Sequence, residues 1–591
     1  MFIRLKTSPI SPRQAVQIVE SYRIGTKSRQ KILRHVGVAF NDREKDELVR
    51  LAKMIMKELE ENRQPSLPAV GLDGSAEPCE QTVAKGHNVD LYECRHTDEI
   101  IDGFGDIVRH LFSRMGFAEI FGVSDRGRGR TNALFGCVLT CLAQPCSKRS
   151  TSRWLRAQAG IGIHVDRLYR MMTALEKRIS KVQDIVARGT LQLYEHKVTL
   201  MLYDVTTLYF ESFTDDGFRQ SGWSKENKTK ETQVVLALAT TREGLPLWYE
   251  VFPGKKWEGH TLLESFDRFK EKMNPKETVI VADRAMFTAD NLVKAEASGY
   301  SYVVGAKLKN QPKKLREMIL KRQEYQTIPS IFGKKRATDE EDTFLVNVFP
   351  QEKARQLVVS WSKKRSLKDQ KDRERLLERA KKLLGDQENV AGQALIKNSG
   401  TKRYLKIKNG KDAEYVLDEE KIATDAQWDG FHGVITNIPI IQKAGLIESD
   451  KSSRKSFSIR DIFSFYHSLW RIEESFRLNK TDLRIRPIRH RLEKRIRAHI
   501  AICYITYAIA RQIEYQVHLQ QKANMSFDRI RTALKDVKSA IMYDMETKKT
   551  YRLPKEMNSD AVKIYAALGQ KRNHIPTEVA SLRKYKNRIL F

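Results

Sequence analysis

Asp204, Asp283 and Glu473 are the residues whose types and spacing best suit chemistry. Asp204 follows the apolar run Val198-Thr-Leu-Met-Leu-Tyr203, and Asp283 follows Val279-Ile-Val-Ala282. A carboxylate directly after a buried strand sits at the carboxyl edge of a sheet, where open α/β sheets place their sites. A surface turn after a strand gives the same local pattern, so it is the pair, on strands that can be neighbours, that points to a site. Glu473 lies in a helix-like segment, with Tyr466 seven residues before it and Lys480 seven after. There Ile462, Phe465, Leu469, Ile472 and Phe476 recur at spacings of three and four, which predicts one buried stripe. Tyr466, Glu473 and Lys480, joined by Arg477, line a parallel stripe beside it. An amphipathic helix with ordinary i,i+4 charge pairs is the competing explanation.

Three carboxylates supply hard oxygen donors suited to two Mg²⁺ or Mn²⁺ ions. Such a pair activates a water or a 3′-hydroxyl and stabilises the leaving oxygen of a phosphodiester. A phenol and cations at the rim would hold phosphates. The histidines show no spacing tied to these acids; His260 and His467 are the two to watch, against the ordinary reading of both as core or surface residues.

The polymer is named by charge. Lys and Arg number 106 against 74 Asp and Glu, a formal charge of +32 spread along 591 residues. That excess predicts a long polyanion contacted over much of the surface, and nucleic acid is the obvious one. The six cysteines include no Cys-x-x-Cys pair and complete no zinc-type set. The longest apolar stretch, about 498–510, is too short to span a bilayer, and the N-terminus lacks a signal-peptide core, so no membrane partner is expected.

The elements that must position the acids are read as follows. Residues 1–61 form an α+β segment of short strands and a helix over Asp42 to Glu61. The Pro- and Gly-rich 62–95 is a linker. Residues 96–195 are helical, with Arg126-Gly-Arg-Gly-Arg130 as a flexible basic loop and Ser150 or Thr151 capping a short helix. Arg153 and Arg156 on that helix, after a helix and a turn, are placed as in a major-groove reader. Residues 196–304 carry a strand ending at Tyr203, a hairpin across Thr241-Arg-Glu-Gly244, then strand, helix, strand. Residues 305–424 break the pattern as an insertion, 425–515 return to the core, and 516–591 are mostly helical.

With the motifs in hand, Leu202-Tyr-Asp-Val-Thr-Thr-Leu-Tyr-Phe-Glu211, Val281-Ala-Asp-Arg-Ala-Met-Phe287 and Leu469-Trp-Arg-Ile-Glu-Glu-Ser-Phe-Arg477 resemble bacterial insertion-sequence transposases with a DDE triad. The similarity is to the group marked by a Tyr-Arg-Glu-Lys signature, and the run from Arg486 to Ile500 fits that group. The resemblance implies an α/β, ribonuclease-H-like core with a largely β insertion, a helical N-terminal DNA-binding region and a helical C-terminal region. It implies Asp204, Asp283 and Glu473 as metal ligands, and Tyr466 and Lys480 as phosphate contacts. The signature arginine is replaced by Leu469, and Arg471 and Arg477 are the substitutes at hand. Relatives cut through DNA hairpins and stack a flipped base on an aromatic ring; Trp257, after Lys255-Lys256, and Trp361 are the candidates. The implied partners are element ends and target DNA, bound by a homodimer in a synaptic complex in the bacterial cytoplasm, at the nucleoid. A nuclease without strand transfer and a non-catalytic repressor are the alternatives.

Overall fold

The computed structural model describes residues 2–8, 11–24, 27–39, 42–61, 90–194, 200–222, 231–256, 261, 278–283, 288–328, 344–385, 400–407, 415–440 and 457–579. The chain divides into two compact units. One is Met1–Cys94 with His518–Ala523, the other Arg95–Val517 with Asn524–Phe591.

In the first unit β1 (Phe2–Ser8), β2 (Ser11–Ile24) and β3 (Lys27–Ala39) form an antiparallel sheet in that order. Val16 and Ile18 of β2 pack on Ala52 and Ile55 of α1 (Asp42–Glu61). The helix has the bounds read from the sequence, but the strands are not short: β2 runs for 14 residues, with irregular register at Val16/Gln17 and Ile18/Val19. Most of the linker, 62–89, lies outside the described residues.

The second unit opens with β4 (Cys94–Ile101) and the helices α2 (Gly103–Arg114), α3 (Asp125–Ala143), α4 (Lys148–Gln158), α5 (Val165–Glu176) and α6 (Ile179–Gln192). Arg126–Arg130 is not a loop. Ser124 caps α3 by accepting from the Gly127 amide at 3.2 Å, and the basic run forms the first turns of that helix. Likewise Ser147, not Ser150 or Thr151, caps α4.

The central sheet has ten strands: β5 (Leu200–Tyr209), β6 (Gln220–Ser221), β7 (Thr232–Thr241), β8 (Pro246–Pro253), β9 (Val279–Ala282), β10 (Ser301–Gly305), β11 (Gln326–Ile328), β12 (Phe344–Pro350), β13 (Gln356–Ser362) and, after a short hairpin of β14 (Leu405–Ile407) and β15 (Tyr415–Leu417), β16 (Phe431–Thr436). The order is β11-β12-β13-β16-β10-β9-β5-β7-β6, with β8 also on β7. β9 runs parallel to both β5 and β10, and the remaining pairs are antiparallel. Three strands from within 305–424 are therefore hydrogen-bonded into this sheet. The β7–β8 hairpin turns at Gly244, whose φ of 83° only glycine adopts without strain.

Side chains alternate between the two faces. Met201, Tyr203, Val205, Ile280, Ala282 and Tyr302 pack on one face with Leu292 and Ala295 of helix Ala289–Ala297 and with Leu191 and Tyr194 at the end of α6. Asp204 and Asp283 belong to the other face. Helices Ile459–His467 and Trp470–Arg477 pack there.

The tail differs from the helical expectation. β17 (Lys538–Asp544), β18 (Thr550–Pro554) and β19 (Thr577–Val579) form a four-stranded sheet with β4, in the order β19-β18-β17-β4. Buried Asp102 fastens it, pairing with Arg552 at 2.9 Å and Arg572 at 3.2 Å.

Candidate active site

β5 and β9 bring the two aspartates together. Tyr203 pairs with Ala282 in parallel register, so the next residues, Asp204 and Asp283, stand side by side on strands about 4.8 Å apart. β9 ends at Ala282, and Asp283 follows it, exposed. β5 does not end at Tyr203: it continues to Tyr209, and Asp204 lies inside it opposite Leu238 of β7. The β-branched and aromatic residues of Val205-Thr-Thr-Leu-Tyr209 favour the extension, and β7 pairs it throughout. Asp204 is half-buried, and its Oδ1 accepts from the Val205 amide at 2.7 Å.

The segment carrying Glu473 is not one regular helix. Ser458 and Asp461 form a capping box that starts Ile459–His467. Around Leu469 the winding tightens to i−3 bonds: Leu469 to Tyr466 at 3.1 Å, Arg471 to Ser468 at 2.9 Å and Ile472 to Leu469 at 3.1 Å, each amide donating to a carbonyl. After Trp470–Arg477 the winding opens into a π-helical turn, Leu478–Asp482, which carries Lys480. The stripe read at spacings of seven therefore passes through three windings. Inserted π turns are frequent at functional sites. Ile462, Phe465, Ile472 and Phe476 are buried as read, while Leu469 is half-buried at the joint.

The Tyr466 hydroxyl donates to Asp283 Oδ1 at 3.5 Å, and its ring lies 4.9 Å from that of His432 on β16. The phenol expected at a DNA phosphate thus touches one of the acids in the protein alone. Glu473 is exposed, and no ion pair among the described residues uses it. Its neighbour Glu474 pairs with Arg471 at 3.2 Å, Arg511 at 3.5 Å and Arg477 at 3.9 Å. Arg511 is buried and also meets Glu514 at 2.7 Å. Glu474 ties its helix, through Arg511, to the long helix Glu493–Gln521, while Glu473 faces outward. Arg471 and Arg477, offered for the missing signature arginine, both face Glu474, and Arg471 stacks on Trp470 at 4.0 Å.

Sequence reasoning missed Arg511 and His432. An arginine directly after the apolar stretch 498–510, with Ile513 continuing it, signals a buried partner, because a buried charge must be paired. Nothing local marks His432.

Among the described residues, no three His, Cys, Asp or Glu side chains form a metal-holding group. Asp204 and Asp283 are neighbours, and Glu473 is carried by a helix on the same sheet face without joining them in one cluster. The donor chemistry, carboxylate oxygen throughout, fits a hard divalent cation.

Arg153 and Arg156 are exposed on α4. Lys255 pairs with Asp215 at 3.4 Å, and Lys256 lies 6.0 Å from the Phe252 ring. Trp257 and His260 lie outside the described residues. Trp361 is fixed within β13: its indole donates to the Asp429 carbonyl at 2.9 Å, and Arg322 covers its face at 4.8 Å.

Among the described residues no helix is long and apolar enough to cross a membrane. Residues 196–509 match the family model described as transposase DDE domain. No curated protein matches the chain. Similar solved structures include a piggyBac transposase synaptic complex with hairpin DNA (TM-score 0.35, 9% identity, covering 74% of this chain and 80% of that one). They also include a Mos1 transposase paired-end complex with left transposon end (TM-score 0.14, 10% identity, 29% of this chain and 58% of that one). At such scores the structural likeness adds nothing to the family match.

Proposed function

The chain belongs to the transposase DDE-domain family, on a match spanning more than half its length, and from that premise we propose that it is a cut-and-paste DNA transposase with Asp204, Asp283 and Glu473 as its acidic triad. The family is one of enzymes that cleave DNA and transfer its strands. The observation carrying the residue assignment is the register of β5 on β9, which sets Asp204 beside Asp283 on the sheet face where Tyr466 reaches Asp283.

Two Mg²⁺ or Mn²⁺ ions held by the triad would activate the attacking water or 3′-hydroxyl and stabilise the departing oxygen. The chain's own residues prepare that site. Tyr466 holds the Asp283 carboxylate by its hydroxyl. Glu474, tied to three arginines, fixes the winding that presents Glu473 outward. Lys480, Arg471 and Arg477 lie along the same segment and supply cations for DNA phosphates, with Arg153, Arg156, Lys255 and Lys256 contacting the duplex farther off. Trp257 is the aromatic ring offered to a flipped base, since Arg322 already covers the face of Trp361. The substrates are terminal inverted repeats and target DNA, brought together by a homodimer, with cleavage through hairpin ends, in the cytoplasm at the bacterial nucleoid.

The test combines a duplex bearing the element end, a target plasmid and Mg²⁺. Cleavage followed by joining of 3′ ends to the plasmid supports the reading. Cleavage without joining makes the protein a nuclease, and end binding with neither makes it a repressor.

A further inference from the structure

The run Arg126-Gly-Arg-Gly-Arg130 has no part in the site above, and the fold gives it a place. It forms the first turns of α3, which packs against α5. Between the two lies a cleft of about 780 Å³ lined by Arg126, Gly129, Arg130, Arg167, Arg170 and Lys177. Arg126 and Arg130 are four apart on one helix. Arg167, Arg170 and Lys177 follow helical spacing on the other, so each set shares a face.

Among the described residues the charge of this cleft is unmatched. Its lining carboxylate, Asp125, is paired with Arg128, and Asp166 on α5 is not among the residues that line it. No ion pair among the described residues uses Arg126, Arg130, Arg167, Arg170 or Lys177. Arg178, also at the cleft, is instead structural, donating to the Ile120 carbonyl at 3.1 Å and stacking on Phe121. Five like charges gathered in a concavity repel one another until an anion enters.

The glycines divide the work. A Cβ at Gly127 would come within 2.4 Å of the Gly122 carbonyl oxygen, so this glycine lets α3 start close against the preceding turn. A Cβ at Gly129 would meet nothing within 4 Å. That position keeps the cleft open without being needed for packing.

We propose that this cleft seats the sugar-phosphate backbone of duplex DNA, as a sequence-independent clamp apart from the acids; the proposal rests on the DNA-transposase reading. From Arg167 to Lys177 the helix rises about 15 Å, the axial length of roughly four phosphates on one strand. Small-molecule sites carry few polar groups, whereas six of the ten residues lining this cleft are Arg or Lys.

The test measures binding of a fluorescent duplex bearing the element end, and of a scrambled duplex, across a KCl series. Arg167→Gln/Arg170→Gln should weaken both duplexes by the same factor and lower the magnitude of the log K against log salt slope by about 1.8, or 0.9 per lost phosphate contact. Gly129→Leu, which changes no charge and raises helix propensity, should also weaken both, by filling the cleft. Circular dichroism and melting confirm that each variant is folded. An unchanged slope, a loss confined to the end duplex, or unaltered binding by Gly129→Leu overturns the clamp. If the unsubstituted protein binds neither duplex, the transposase reading falls with it; if it binds both and the variants match it, the clamp alone falls.

Discussion

The Tyr466 hydroxyl donates to the Asp283 carboxylate across 3.5 Å, joining a helix to a strand 183 residues away in sequence. The contact fixes one acid of the pair from above while the β5–β9 register fixes both from below. Tyr466→Phe keeps the ring on His432 and removes only the donor. The long bond contributes roughly 1 kcal/mol, so DNA cleavage should fall about fivefold with little change in melting temperature. Gel quantification of cleaved ends checks this; unchanged cleavage would mean the phenol does not orient Asp283.

Glu473 and Glu474 are adjacent and should behave oppositely. Glu473→Gln should abolish cleavage and leave the melting temperature near that of the unsubstituted protein. Glu474→Gln leaves buried Arg511 with Glu514 as its remaining acid and frees Arg471 and Arg477. It should cost on the order of 2 kcal/mol of stability, read by denaturant titration. Reversal of the two phenotypes would move the third acid to Glu474.

Asp102 is the buried acid of the tail sheet. Asp102→Ala strands Arg572, whose side chain is 1% exposed, and should destabilise the protein by about 3 kcal/mol. Asp102→Leu/Arg572→Leu should recover part of that loss, because it removes the more deeply buried of the two arginines that Asp102 pairs and leaves only the less buried Arg552 to lose this acid. Thermal unfolding of both variants decides it.

Burial holds His490 at about 4 and His499 at about 3, with the Lys148 ammonium adding to both. Their native values lie below the unfolded value of 6.5, so the unfolded chain binds protons that the native protein does not. Stability is therefore complete above pH 6.5 and lost as pH falls from 6.5 toward 4, at up to about 1.4 kcal/mol per pH unit for each histidine. The melting temperature should drop between pH 7 and 5, and His490→Gln/His499→Gln should flatten that slope. An equal slope in the double variant would assign acid lability to other groups.

Much of the architecture was legible because local patterns and partners agree. Val279–Ala282 reads as a strand, and Gly244 as the turn of the β7–β8 hairpin, from residue types alone. The end of β5 was not legible. An acid after an apolar run looks terminal, and only pairing with β7 keeps Asp204 inside the strand. The heptad stripe from Tyr466 to Lys480 assumed uniform winding, which i−3 bonds at Leu469 and the π turn at Lys480 disturb. The glycines of Arg126–Arg130 suggested a loop, but the Ser124 cap and packing on Gly122 outweigh their low helix propensity. The tail sheet was hidden because its partner strand is far away in sequence: Thr97 of β4 donates to the Ile541 carbonyl of β17, 444 residues on. Asp204 and Asp283 stood out in the sequence, and the β5–β9 register sets them side by side; that Glu474 is tied to Arg511 while Glu473 faces outward needed the ion pairs.

The central claim is that Asp204 and Asp283 act as a pair in phosphodiester chemistry. The most direct measurement compares the unsubstituted protein with Asp204→Asn and Asp283→Asn in one reaction of end duplex, target plasmid and Mg²⁺, with end binding followed in parallel. The expected result is that all three bind the end duplex, while only the unsubstituted protein cuts it and joins the 3′ ends to the plasmid. Cleavage or joining that survives either substitution would contradict the account.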